Sequence, residues 1–146
     1  MKPFRLTPTL ALIAALCAPL PLQAQTAGAP PAANPASGTE ARRAVVANFE
    51  SEAQLGQFAA KGTTVVFFYA SWCPNCRATV TELNARWDAV NPDITLVIAD
   101  YDKEKALKAK YGVTYQDTFV LLDEKGGAVK SWNSGGVDGL NRNTAL

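Results

Sequence analysis

The sequence predicts an α/β domain with a mixed central β-sheet flanked by helices on both faces. Three observations predict it. Val65-Val66-Phe67-Phe68-Tyr69 and Thr95 to Ala99 are continuous apolar runs, which suit strands covered on both sides. Between the strand runs lie segments whose apolar residues recur at helical spacing. The last two strand runs flank a tight Gly-containing turn and read as an antiparallel hairpin. Helices that join parallel strands cross over right-handed, which places them on both faces of the sheet.

Taken in order, Arg43 to Asn48 is the first strand. Ser51, followed three residues later by Gln54, is a capping-box pattern that opens a helix with Leu55, Phe58 and Ala59 on one face. Gly62 is expected to supply the left-handed residue that ends it. Val65 to Tyr69 is the central strand. From Cys76 the positions Cys76, Val80, Leu83, Trp87 and Val90 are spaced four, three, four and three, which predicts one helix with a buried stripe. Thr95 to Ala99 is the next buried strand. Asp102 is expected to cap a helix that carries Leu107 and Tyr111 and closes at Gly112. Thr118 to Leu122 and Ala128 to Trp132 form the hairpin around Glu124-Lys125-Gly126-Gly127, and the tail from Val137 has room for one short helix. The order is β-α-β-α-β-α-β-β-α, without an internal repeat.

With 146 residues, 48% of them apolar and 18% charged, the chain can build one domain with a buried core. A formal net charge of +1 and no cluster of Lys and Arg argue against nucleic acid as a partner. The absence of His removes Ser-His-Asp and Cys-His catalysis and His-ligated zinc or haem. Thiol, carboxylate and amine chemistry remain.

Residues 1–24 read as a secretory signal peptide. Lys2 and Arg5 precede the uncharged stretch Leu10 to Leu20, and Leu22-Gln23-Ala24 offers a cleavage site. Pro19 and Pro21 arrive too early for a membrane helix. Cys17 follows Leu16, where lipidation wants a small residue, so it reads as part of the signal. Residues 25–39, rich in Ala and Pro, read as a linker, and residues 40–146 as the domain. Export to the periplasm is the expectation. Removing Lys2 and Arg5 takes the 14 basic residues to 12 against 13 acidic, a net charge of −1, and leaves Cys73 and Cys76 as the remaining cysteines.

Trp72-Cys73-Pro74-Asn75-Cys76 sits where the central strand ends and the long helix begins. Unpaired N–H groups and the macrodipole at a helix N-terminus favour a thiolate there. Pro74 suits the first helical turn, whose N–H has no intrahelical partner. Cys73 is expected to be the exposed, attacking sulfur, and Cys76, on the buried stripe, the resolving one. A structural disulfide closing so short a loop would stabilise only weakly. A zinc knuckle would need two further Cys or His ligands, which the mature chain lacks.

Phe68-Tyr69-Ala70-Ser71-Trp72-Cys73-Pro74-Asn75-Cys76, with Asp100-Tyr101-Asp102 and Lys110-Tyr111-Gly112-Val113, resembles the thioredoxin family over about residues 44–140. The resemblance implies a thioredoxin-like fold and exchange with protein thiols and disulfides, without a dissociable cofactor. A monomer is the expectation, with a substrate-facing rim made of Trp72, Pro74, Asp117 and Thr118. The family places a cis-proline before a Thr, where this chain has Asp117 before Thr118. A cis bond at a non-proline residue costs about 2.5–4 kcal/mol. Either the bond is trans and the loop rearranged, or its surroundings hold the strain. A carboxylate there opposes thiolate formation at Cys73, unless Asp117 turns outward into solvent.

Two further positions depart from the family pattern. The buried Asp expected six residues before the first Cys is Phe67, and its partner Lys is Ile98. The family's proton relay is therefore missing unless Asp117, or a water, substitutes as base. Trp87 and Trp132 read as core or sheet-face packing, and Lys103, Lys105, Lys108 and Lys110 as a solvated helix face. The leading expectation is an exported thiol–disulfide oxidoreductase, more reductant than oxidant, recharged by a membrane electron donor. The alternatives are a metal-binding module using Cys73, Cys76 and Asp117, and a catalytically idle interaction domain.

Overall fold

Alternation along the central strands divides the core in two. The structure, a computed structural model, describes residues 42–145. The expected signal segment with Cys17 and the expected linker lie outside the described residues. The elements are β1 (Val45–Asn48), α1 (Glu52–Ala59), β2 (Thr64–Tyr69), α2 (Pro74–Ala85), β3 (Thr95–Asp100), α3 (Lys105–Tyr111), β4 (Thr118–Leu122), β5 (Ala128–Asn133) and α4 (Gly136–Thr144), with a short 3-10 turn at Trp87–Ala89. The sheet order is β1-β3-β2-β4-β5. Strands β1, β3 and β2 are parallel, and β4 and β5 antiparallel to their neighbours. The mixed α/β sheet is as predicted.

Val65 and Phe67 of β2 point to one face, where they pack with Leu83 of α2 and Val137 and Leu140 of α4. Val66 and Phe68 point to the other, against Leu55 and Ala59 of α1 and Leu107 and Tyr111 of α3. Helices therefore cover both faces, and the centre of the sheet is dry. Phe67, Phe119 and Trp132 are direct cross-strand partners on β2, β4 and β5. Their rings form a stack, with centroids 4.4 Å and 5.5 Å apart.

Three local expectations are corrected. The helix predicted from Cys76 through Val90 stops at Ala85, and the 3-10 turn follows. The tighter turn still delivers Trp87 and Val90 to the core, with the Trp87 indole N–H donating to the Ala44 carbonyl at 3.1 Å. Gly62 does not supply a left-handed end to α1: Ala60 closes it at φ −68°, and the Lys61 and Gly62 N–H groups both donate to the Phe58 carbonyl. Asp102 does not cap α3, which begins after Glu104 without a side-chain cap. Asp100 organises that turn instead, its carboxylate accepting from the N–H groups of Asp102 and Lys103. Gly112 does close α3 in the left-handed conformation, at φ 65°.

The middle ring of the stack, Phe119, is fully buried. Phe119→Ala is expected to cost about 3–5 kcal/mol, read as a lower midpoint in urea denaturation with an unchanged slope.

Candidate active site

The site is built where β2 runs out. The chain leaves the strand at Tyr69, turns through Ala70-Ser71-Trp72, and Cys73 becomes the N-cap of α2 with extended φ −80° and ψ 121°. Cys73 Sγ accepts the Cys76 N–H at 3.4 Å, and Pro74 fills the first helical turn as expected. The Ala70 N–H donates to Cys76 Sγ at 3.5 Å. Both cysteines are free thiols.

The two thiols are driven apart. Burial works against ionisation of Cys73, but the Cys76 N–H, the Cys76 thiol, the Asn75 N–H and the Gln116 side chain outweigh it and lower its pKa from the ordinary value. Burial pushes Cys76 up to about 11, and the neighbouring Cys73 and the Asp117 charge add to the rise. The attacking and resolving assignments fit this asymmetry. One part of the expectation does not hold: Cys73 is 1% exposed. As N-cap it turns its sulfur back over the first turn, where Ala70, Tyr69 and Tyr101 pack around the cysteine pair.

Asp117 does not turn into solvent. It is 2% exposed and left-handed at φ 58°, and no peptide bond among the described residues is cis. Its N–H donates to the Phe68 carbonyl and its carbonyl accepts the Ser134 N–H, so it prolongs the ladders on both sides of β4. The positive φ brings the side chain inward, where Oδ2 accepts the Ser134 hydroxyl at 2.6 Å. Oδ1 has no hydrogen-bond partner.

Thr118 is buried, and its hydroxyl donates to the Tyr115 carbonyl and accepts from Asn133 Nδ2, both at 2.7 Å. That hydroxyl is committed internally. Trp72 is exposed on the rim with its indole N–H on Asp102 Oδ2 at 2.8 Å, and Pro74 and Tyr115 are also exposed. The lysine face behaves as solvated surface, with Lys103 and Lys110 paired to Asp100 and Glu52 and Lys108 over the Tyr101 ring. No group of three or more His, Cys, Asp or Glu residues among the described residues is arranged to hold a metal ion. Cys73, Cys76 and Asp117 thus do not assemble the ligand set of the metal-binding alternative.

Sequence reasoning missed Gln116 and Ser134. Gln116 could have been found as the neighbour of the anomalous Asp117. Ser134 carries no signal beyond preceding Gly135-Gly136, since it meets Asp117 only through the β4–β5 pairing.

A family model, Thioredoxin, matches residues 42–143. "Thioredoxin 2" of Plasmodium falciparum (isolate 3D7) is 33% identical over 66 residues, 44% of this chain and 42% of that protein. The match thus spans about two fifths of the length of that curated relative. The crystallographic thioredoxin of Fasciola hepatica superposes with a TM-score of 0.51 at 30% identity, covering 70% of this chain and 94% of that one. Malassezia sympodialis thioredoxin superposes with a TM-score of 0.59 at 20% identity, covering 70% and 90%, and shares the fold.

Because Cys76 is raised from 9.0 to about 11, the native reduced protein holds that proton more tightly than the unfolded chain. Its contribution to stability is full below pH 9 and lost as pH rises towards 11. The lowered Cys73 acts in the opposite sense, contributing above the ordinary thiol range and losing that contribution as pH falls through its folded value. Denaturation midpoints of reduced wild type and Cys76→Ser, compared across pH 8–11, are expected to converge as the alkaline loss specific to wild type sets in. Parallel curves would contradict the assignment.

Proposed function

The chain belongs to the thioredoxin family, and from that premise we propose that it is an exported thiol–disulfide oxidoreductase acting on protein disulfides, more reductant than oxidant. The observation that carries this reading is the paired asymmetry at the start of α2: one thiol lowered by helix N–H groups, with the other raised beneath it. An idle interaction domain has no use for that difference.

The Cys73 thiolate attacks one sulfur of a substrate disulfide, and the other sulfur leaves with the bond's electron pair. A mixed disulfide now joins Cys73 to the substrate. Cys76, deprotonated, attacks Cys73 Sγ and expels the substrate sulfur as a thiolate. The protein is left with a Cys73–Cys76 disulfide and the substrate has gained two electrons. The substrate sulfur reaches Cys73 over the rim formed by Trp72, held by Asp102, and Pro74. Export rests on the charge and apolar pattern of residues 1–24. Working in the periplasm, the oxidised pair would be returned to dithiol by a membrane electron donor.

The test is single-turnover reduction of a protein disulfide by the reduced domain. Cys73→Ser is expected to abolish turnover, and Cys76→Ser to stop at a mixed disulfide visible as a mass adduct. Turnover that survives Cys73→Ser would overturn the proposal.

A further inference from the structure

The reaction just described needs a group to take the Cys76 proton, and β2 offers no carboxylate. The residue facing that side of the sheet is Phe67, locked in the stack with Phe119 and Trp132. One acid has been carried into the site from another element. Asp117 is buried, its backbone is tied to Phe68 and Ser134, and the Ser134 hydroxyl holds Oδ2 at 2.6 Å. Oδ1 is buried and meets no partner. A bare buried carboxylate oxygen is costly and calls for an explanation. Among the described residues, two non-glycine residues adopt positive φ, Asp117 at 58° and Ser134 at 57°, and both lie at this contact.

Asp117 also lines an open cleft of about 250 Å³ between α2 and the loop before α4. Asn75, Thr79 and Glu82 form one wall, and Ser134, Gly135 and Gly136 the other. The titratable groups set against Asp117 are Cys76 at the start of α2, on which its charge acts, and Glu82 across the cleft. Glu82 is engaged elsewhere: Oε1 accepts from the Val137 N–H at 3.2 Å and from Arg86 at 3.1 Å, and Arg86 also reaches Asp138. Asp117 is left with a free acceptor, an exit to solvent, and a charge that acts on Cys76.

We propose that Asp117 takes the proton of Cys76 when the mixed disulfide is resolved, that Ser134 is the positioning residue for its carboxylate, and that the cleft beside α2 is where the proton leaves. This rests on the disulfide-exchange reading above. The S–H proton of Cys76 passes to the Asp117 carboxylate, and the freed electron pair forms the Cys76–Cys73 bond. The bond from Cys73 to the substrate sulfur breaks, its electron pair leaving with that sulfur. The proton then goes from Asp117 to the departing thiolate or, through the cleft, to solvent.

Asp117→Asn separates this role from a purely electrostatic one, because the two predict opposite signs. As a mere negative charge, Asp117 only hinders ionisation of Cys76, so its removal would speed resolution at neutral pH. As the base, its removal slows resolution by about a hundredfold and leaves a rate that climbs with hydroxide concentration. The measurement is stopped-flow decay of a preformed mixed disulfide on Cys73, in wild type and variant, across pH 6–10. Ser134→Ala, which leaves the carboxylate in place, is expected to slow the same step by less and to keep the wild-type pH profile, without the climb with hydroxide seen in Asp117→Asn. An equal or faster step in Asp117→Asn overturns the proposal. Should that variant not fold, the wild-type step alone decides: a normal solvent deuterium effect is required, and its absence overturns the proposal. Wild type that forms no mixed disulfide at all would instead overturn the disulfide-exchange reading.

Discussion

Everything at the site follows from one hydrogen bond, the Cys76 N–H donating to Cys73 Sγ at the first turn of α2. The opening N–H groups of a helix have no partner within it, and a side chain or solvent must take them up. Here a sulfur does so. The bond satisfies the helix and, together with the Asn75 N–H, stabilises negative charge on that sulfur. It can form only because β2 stops at Tyr69 and Cys73 adopts extended backbone just before Pro74. The same geometry tucks the sulfur inward, so the thiol readiest to ionise is also covered. Ionisation and access are set by one conformation.

The second constraint is the aromatic stack of Phe67, Phe119 and Trp132. A sheet buried on both faces tolerates a carboxylate only where hydrogen bonds compensate it. This chain fills the middle of that face with rings and brings its acid in at the edge, where β4 begins and the Ser134 backbone and hydroxyl can hold it. Left-handed backbone at Asp117 turns the side chain inward, and Asp is among the residues that tolerate it. Ring packing at Phe67 and the buried carboxylate of Asp117 are thus two sides of one arrangement.

Patterns that report burial or local capping were legible in the sequence. The runs at Val65–Tyr69 and Thr95–Ala99 became central strands, Ser51 accepts the Gln54 N–H, and Gly112 is left-handed. The cysteine pair was legible because strand, Pro and helix each point to a helix N-terminus. The end of α2 was not, since the 3-10 turn carries Trp87 and Val90 into the same core that a continued helix would reach. Nor was the burial of Asp117, which depends on the sign of one φ and on Ser134, seventeen residues away. Burial of Cys73 was not legible either, because helix position reports ionisation and says nothing of the neighbours, such as Tyr101, that pack around the pair. Local signals reached as far as one element. Contacts between loops lay beyond them.

The most direct measurement of the account is an equilibrium redox titration of the Cys73–Cys76 pair in residues 25–146, reading the disulfide fraction against a buffer of known potential. A reductant requires a value at or below about −220 mV. A value near about −120 mV would mean that stabilisation of the Cys73 thiolate dominates the pair, and would make the protein an oxidant.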